Sequence, residues 1–235
     1  VYALSEFQGK LLVGMGNHLR LFDIGIKQLL SKCSTRLDAI TKIVKIETQG
    51  FRAYVADIKE SITFVVFKPE LNDFIPFIDD TVPRHITSLK VLDYCTVVVG
   101  DKFGNLSLLR CDEETSDLSE KNTTFLTSQG GYLNGAPKKL SNLCNFFIED
   151  IPTSFNLDSL TVGGPEVVLY TGLQGTIGAL IPIQTKSDIR FFHKLQKAMR
   201  LNVPNLLDRN HLKFRSYYQP IKNVIDGDLI ELFND

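Results

Sequence analysis

Short apolar runs, separated by polar or glycine-containing turns, recur along most of the chain. The clearest repeating unit is a hairpin, in which an apolar strand, a tight polar turn and a second strand follow one another. Four copies begin at Val13, Val55, Val99 and Tyr170. The first two intervals are 42 and 44 residues, which is typical of the roughly 40–50-residue period of β-propeller blades.

Further strand candidates between the hairpins bring each unit to about four strands. They cover residues 29–33, 43–48, 74–78, 86–92, 143–148 and 154–161. Around Val55 neither face of the strand is strongly polar, which is expected of a strand packed between two sheets. The pattern therefore predicts an all-β fold of stacked propeller blades, with a β-sandwich as the alternative architecture.

The last interval, from Val99 to Tyr170, is 71 residues. The excess is explained by a polar segment from about residue 111 to 139, which is rich in acidic residues and contains Gly130-Gly131. Such a composition is typical of a surface insertion loop. We therefore interpret residues 1–185 as about four blades of an incomplete ring and expect the missing blades upstream.

From Lys186 the spacing of apolar residues changes from that of a strand to that of a helix. Phe192 and Met199 share one face of the predicted helix. Ser187 is the expected N-cap, and Pro204 is expected to end the helix.

A second helix is predicted to begin at Asp226 or Asp228, with Leu229, Leu232 and Phe233 as its apolar stripe. Residues 186–235 are therefore interpreted as the start of a C-terminal helical domain.

Composition is that of an ordinary globular chain, with 43% hydrophobic residues, 23% charged residues and a net charge of -1. No apolar run approaches the length of a membrane span, so no membrane partner is expected. The first residues carry no secretory signal and the chain does not begin with methionine, so we expect a piece of a longer protein. The four cysteines are scattered, which predicts reduced thiols in the nucleus or cytosol.

Motifs for catalysis or cofactor binding are weak in this sequence. The four histidines stand far apart without metal-ligand spacing. Asp79 and Asp80 are adjacent, so in a strand they would point to opposite faces and could not flank one bond. Gly14 and Gly16 resemble the start of a dinucleotide fingerprint, but the third glycine is missing and a strand follows. No enzyme activity, metal or cofactor is therefore predicted.

Charge is distributed unevenly along the chain. Residues 186–222 contain nine Lys or Arg against two Asp. This segment could face an acidic partner or RNA phosphates. The alternative is a solvated helix face, just as the acidic insertion could be a solvated loop.

The closing string of the sequence is LLDRNHLKFRSYYQPIKNVIDGDLIELF, from Leu206 to Phe233. It resembles the C-terminal motif of a triple-propeller family. That family includes the damaged-DNA-binding ubiquitin-ligase adaptor, the large subunit of the cleavage and polyadenylation specificity factor and a subunit of splicing factor 3b. The strings DDTVPRHIT from Asp79, GDKFGNLSLLR from Gly100 and GGPEVVLYTGLQGTIGALIP from Gly163 are most similar to the splicing factor 3b branch.

This resemblance implies a non-catalytic scaffold in the nucleus, within the U2 small nuclear ribonucleoprotein that selects the branch site in pre-mRNA splicing. The implied partners are the HEAT-repeat subunit and a small helical subunit of splicing factor 3b, with possible indirect or weak RNA contact. Two alternatives keep the fold and change the process. They are a ubiquitin-ligase adaptor in DNA repair and a polyadenylation factor subunit.

Aromatic and arginine side chains of the closing string are the candidate partner contacts, because such residues commonly anchor binding energy at interfaces. They are Arg209, His211, Phe214, Arg215, Tyr217 and Tyr218. The alternative is that these side chains seal the C-terminal helices against the last blade.

Overall fold

The predicted repeat folds into consecutive antiparallel sheets. A computed structural model of the chain describes residues 1–121, 135–202 and 209–233, and within these ranges the strands form four sheets. The first contains β1 (Ala3–Phe7), β2 (Lys10–Met15), β3 (His18–Ile24) and β4 (Leu29–Arg36). The second contains β5 (Ile43–Gln49), β6 (Arg52–Asp57), β7 (Ile62–Lys68) and β8 (Asp73–Asp79).

The third and fourth sheets follow in the same order. The third contains β9 (Ile86–Val91), β10 (Thr96–Asp101), β11 (Asn105–Arg110) and, after the short strand β12 (Lys138–Lys139), β13 (Ser141–Phe147). In the described part of the chain, the fourth contains β14 (Pro152–Ser159), β15 (Glu166–Gly172) and β16 (Ile177–Leu180). All four predicted hairpins and all six further strand candidates are confirmed, whereas β1 and β12 had not been assigned.

The sheets stack in chain order as propeller blades. The first strand of each sheet packs against the first strand of the next, so β1, β5, β9 and β14 lie side by side. Each pair of neighbouring sheets encloses one apolar cluster. Every residue of β6 and β10 is buried, because both faces of these strands are covered. The predicted all-β blade architecture is thus confirmed.

Two glycines allow neighbouring blades to approach closely. A Cβ built on Gly14 would lie 2.6 Å from a side-chain carbon of Ile43, and one built on Gly100 would lie 2.3 Å from Pro152. Both contacts join one sheet to the first strand of the next sheet. These glycines therefore serve blade packing, in agreement with the rejection of a dinucleotide fingerprint at Gly14.

The turns of the second and third hairpins are built in the same way. Asp57 closes β6 and accepts backbone N–H groups from Lys59 and Glu60, each at 2.9 Å. Asp101 closes β10 and accepts the N–H of Phe103 at 2.8 Å. An aspartate side chain that bonds its own turn fixes the backbone there without further packing.

The polar segment after β11 is not simply a loop, and this part of the prediction was wrong. It begins with a helix, α1 (Glu113–Lys121). Asp112 caps α1 by accepting the backbone N–H of Thr115 at 3.0 Å and its hydroxyl at 2.9 Å. Burial alone would raise the pKa of Asp112, but these hydrogen bonds outweigh it and lower the pKa.

Helix α1 is held by a buried arginine of the neighbouring blade. Arg52, on β6, is fully buried and donates to the Ser116 carbonyl at 3.0 Å and to the Ser116 hydroxyl at 2.7 Å. It also bonds the Ser119 hydroxyl at 3.2 Å and lies over the ring of Tyr94. The buried face of α1 is therefore a row of small polar side chains, which explains why apolar periodicity did not reveal it.

The end of the same insertion reaches the edge of the second sheet. Strand β12 pairs in parallel with β8, the fourth strand of the second sheet, and so becomes its fifth strand. Lys139 forms an ion pair with Asp79 at 2.5 Å, and Asp79 also accepts the N–H of Ala136 at 2.9 Å. The insertion thus connects the second and third blades and covers a sheet edge that would otherwise be exposed.

The C-terminal helices have the predicted positions with one different cap. Helix α2 (Lys186–Asn202) begins at the cap Thr185, whose hydroxyl accepts the N–H of Asp188 at 3.2 Å. The prediction of Ser187 as the cap was wrong, and Pro204 lies outside the described residues. Helix α3 (Gly227–Glu231) is capped by Asp226, one of the two starting positions that the sequence indicated. Leu229 is buried, but Leu232 and Phe233 of the predicted stripe lie after the helix and are exposed. Among the described residues, none of the helices has the length and apolar character needed to cross a membrane.

We predict that Arg52→Met in the full-length parent protein will release α1 while leaving the sheets folded. The variant removes several hydrogen bonds that the charged arginine donates, each worth about 1.5–3 kcal/mol. Amide hydrogen exchange in residues 113–121 should therefore accelerate by about tenfold or more. Arg110→Ala is the control, because it removes an exposed ion pair at 3.9 Å and a hydrogen bond to the Thr96 hydroxyl at 2.8 Å, neither of which involves α1. It should leave exchange in α1 unchanged. Unaltered protection of α1 in Arg52→Met would contradict the assignment.

Candidate interaction site in the closing segment

The closing segment, residues 209–233, lies along the outer edge of the third sheet. Asn145 of β13 and Lys222 exchange two backbone hydrogen bonds, each of 3.1 Å. The side chain of Asn223 donates to the Leu143 carbonyl at 2.8 Å. The segment thereby satisfies backbone groups at the edge of β13.

Apolar side chains of the closing segment insert between two blades. Ile221 and Val224 pack against the cluster that the third and fourth sheets share, near Phe146 and Val168. The closing segment is therefore part of the fold's core as well as an edge cover.

A buried carboxylate holds the segment in shape. Asp226 is 1% exposed and accepts hydrogen bonds from His211 and from Arg215, the latter at 2.9 Å. Arg215 also pairs with Asp228 and lies over the ring of Phe146, with 5.4 Å to the ring centroid. Burial alone would lower the pKa of Arg215, but the charge of Asp226 outweighs it and raises the pKa. His211 and Arg215 are thus directed into the protein.

Phe214 and Arg209 differ in their surroundings. Phe214 is half-buried and closes a short 3₁₀ helix, with its N–H bonded to the His211 carbonyl at 2.9 Å. Arg209 is exposed, and it has no ion pair among the residues that the structure describes. Arg209 is therefore accessible to solvent, whereas Phe214 faces partly inward.

Tyr217 and Tyr218 are the half-exposed candidates, at 50% and 52%. The Tyr217 ring stacks on Phe147 with centroids 5.7 Å apart, and the Tyr218 ring meets Phe103 edge-on at 5.8 Å. The Tyr218 hydroxyl donates to the buried carboxylate of Asp101, and burial together with this carboxylate raises the pKa of Tyr218. Both tyrosines therefore combine an anchored side with an accessible side.

The backbone at Tyr218 is in the left-handed region, with φ of 44°. Few residues other than glycine adopt this conformation, and it persists only where surrounding contacts impose it. Here the hydroxyl contact with Asp101 and the ring contact with Phe103 impose it.

A second buried network lies beneath Tyr218. Arg84 is fully buried, pairs with Asp80 and donates to the side-chain oxygen of Gln219 at 3.3 Å. Ser61 of the second blade donates to Asp80 at 2.6 Å. Burial lowers the pKa of Arg84. This network links the closing segment to the junction between the second and third blades.

Sequence reasoning missed Arg84, Asp101 and Phe103 as parts of this site. A single arginine between two strands and a turn aspartate carry no functional pattern in a sequence. The strings that contain these residues had been noted for family resemblance, and the string with Asp101 and Phe103 also as a repeated hairpin. The resemblance is the signal that could have identified them.

No three His, Cys, Asp or Glu side chains come together in metal-binding geometry within the described parts of the chain. The four cysteines are free thiols, and burial raises the pKa of Cys144 to about 11. The Cys144 thiol is therefore even less ionised at neutral pH than an ordinary cysteine thiol, whose pKa is about 8.5.

The basic segment is largely exposed, but at least two of its cations, Arg215 and Lys222, contact other parts of the protein. The Lys222 ammonium donates to the Asn142 carbonyl at 2.5 Å. The Lys and Arg residues at the start of α2, and also Lys213, are exposed to solvent. Arg215 is bound to Asp226 and Asp228 instead. Direct RNA contact by this segment stays a prediction.

Comparisons with known proteins cover almost the whole chain. The family model described as "CPSF A subunit region" matches residues 1–235. The pre-mRNA-splicing factor RSE1 of Candida albicans is 52% identical over 231 residues, which cover 98% of this chain and 19% of the relative. The probable splicing factor 3B subunit 3 of Dictyostelium discoideum is 48% identical over 236 residues, with 100% and 19% covered. The chain thus spans about a fifth of the length of these curated relatives.

We predict that Asp226→Asn in the full-length parent protein will loosen the closing segment. Removing this charge leaves Arg215 in a largely buried position without its main partner, which costs about 3 kcal/mol. Hydrogen exchange in residues 209–233 should accelerate, with exchange in β6 as the internal reference. Asp228→Asn is the matched control, because the Asp228 side chain is 74% exposed. Solvent screens the charge of an exposed carboxylate, so its loss should cost under about 1 kcal/mol. Equal effects of the two variants would contradict the role given to Asp226.

Proposed function

This chain belongs to the CPSF A subunit region family, and on that premise we propose that it is a non-catalytic scaffold region of a splicing-factor-3b-type complex. The identity of about half of its residues to proteins named as splicing factors, over nearly the whole chain, carries this proposal. The resemblance indicated by the closing string is confirmed at the level of the family.

The proposed setting is the nucleus, within the U2 small nuclear ribonucleoprotein. The proposed partners are the HEAT-repeat subunit and the small helical subunit of splicing factor 3b. The two alternatives, a ubiquitin-ligase adaptor and a polyadenylation factor subunit, share the family, but the Candida albicans and Dictyostelium discoideum relatives are both named for splicing. Those names favour the splicing assignment.

The structure supports a scaffold for physical reasons. Stacked sheets hold their connecting loops rigidly, and rigid loops lose little conformational entropy when a partner binds. Partner binding of this kind requires a fixed surface and no catalytic group. The buried β6 and β10 strands supply that rigidity, because each is packed on both faces.

The six candidate residues divide into two groups under this proposal. Arg209, Tyr217 and Tyr218 present accessible side chains and are proposed as partner contacts. His211, Phe214 and Arg215 are proposed to seal the closing segment, because two of them bind Asp226 and the third faces partly inward.

We predict that affinity purification of the tagged full-length parent protein from nuclear extract will recover the HEAT-repeat splicing subunit and U2 small nuclear RNA together. An unrelated nuclear protein with the same tag is the control for background RNA. Recovery of a cullin, or of polyadenylation subunits, in place of the splicing components would contradict the assigned process while leaving the family unchanged. Mass spectrometry and RNA sequencing of the same eluate provide both readouts.

A further inference from the structure

We propose that Phe103, Tyr217 and Tyr218, together with Lys102, form a binding surface for an extended acidic peptide segment of a protein partner. We call these four residues the aromatic rim. This inference deepens the proposed function, since it assumes a scaffold and specifies the partner chemistry at part of the closing segment.

The three rings form one continuous exposed patch. Phe103 is 40% exposed and lies in the turn between β10 and β11. Its ring centroid is 6.1 Å from that of Tyr217 and 5.8 Å from that of Tyr218, and the two tyrosine rings are 5.4 Å apart. Adjacent exposed aromatic side chains are enriched at protein interfaces, where they bury a large area with few rotatable bonds.

The rings are fixed before any partner arrives. Tyr217 rests on Phe147, and His85 lies against Phe103 with ring centroids 5.5 Å apart. The Tyr218 hydroxyl donates a hydrogen bond to Asp101. A preformed surface of this kind binds more tightly than a mobile one, because little side-chain entropy remains to be lost.

The accessible charge within the patch is positive. Lys102 is exposed, and its ammonium lies 5.0 Å from the Phe103 ring centroid. No ion pair of Lys102 occurs within the described ranges of the chain. Glu149, in the connection after β13, carries an exposed negative charge. That charge contributes to the raised pKa of Arg215.

The carboxylates beneath the rings are already engaged. Asp101 is buried and accepts the N–H groups of Phe103 and Asn105 as well as the Tyr218 hydroxyl. Asp80 is paired with Arg84. A partner carboxylate near Lys102 would therefore meet an accessible cation, which is the charge complementarity that selects an acidic segment.

Geometry favours a peptide over single-stranded RNA at this surface. Bases stack on exposed ring faces along a groove with several cations. Here Tyr218 meets Phe103 at 85° and Tyr217 at 76°, so the rings cover parts of one another's faces. Lys102 is the one cation that contacts these rings among the described residues. Rings that meet edge to face leave less open ring face for flat bases to stack on, which favours a peptide.

The test is photocrosslinking in the assembled complex. Phe103 of the full-length parent protein is replaced by p-benzoylphenylalanine, and the complex is irradiated after purification. The matched control places the same analogue at Phe51, which is 47% exposed and lies in the turn between β5 and β6. That turn is at the opposite end of the sheets, because alternate turns of an antiparallel meander point in opposite directions.

The expected adduct at position 103 is a peptide of another protein that carries carboxylate side chains near the crosslinked residue. Lys102→Glu should lower the yield of that adduct by about fivefold or more, whereas Lys102→Arg should retain it. Replacing the partner's carboxylates by lysine should restore the yield in Lys102→Glu. This restoration tests the charge pairing itself.

Four results would each overturn the inference. They are an RNA adduct, an adduct within the parent polypeptide, a yield that does not respond to Lys102→Glu, and a yield no higher than at Phe51. Recovery of U2 RNA in the same purification reports separately on the proposed function, so failure of the aromatic rim and failure of the splicing assignment are distinguishable. Unchanged hydrogen exchange in β10 and β11 would show that the variants remain folded.

Discussion

Burial of both faces of the inner sheets is the constraint that organises the whole fold. The strands β6 and β10 are buried along their whole length, so each requires a neighbouring sheet on both sides. Gly14 and Gly100 allow that approach because a side chain at either position would collide with the next blade. A rigid stack follows, and it fixes the turns between the strands in space.

Buried polar groups attach the less regular segments to this stack. Arg52 holds α1, Asp226 holds the closing segment, and Arg84 connects that segment to the junction between two blades. Arg52 and Arg84 reach residues distant in sequence, so these contacts can form only once the blades are assembled. The functional consequence is that Tyr217 and Tyr218 are displayed by a rigid support.

Local patterns were sufficient to predict the blades but not the contacts between segments. Alternation and turn residues predicted the four repeated hairpins, because these signals act within about ten residues. Helix α1 was missed because its buried face consists of serines that bind Arg52, which lies 64 residues before Ser116. Residue type alone marked both His211 and Tyr217 as candidate partner contacts. The position of Asp226 in the fold shows that His211 is directed into the protein, whereas Tyr217 remains half-exposed.

Asp226 seals the closing segment in this structure, and we propose that the aromatic rim beside it faces a partner. Cryo-electron microscopy of the intact complex, purified with the full-length parent protein, tests both statements at once. We expect a peptide of another chain to cover Phe103, Tyr217 and Tyr218, with a carboxylate beside Lys102, while Arg215 stays bound to Asp226. Rings that remain exposed to solvent in the assembled complex, or an Arg215 bound to a partner chain, would show that these roles are wrong.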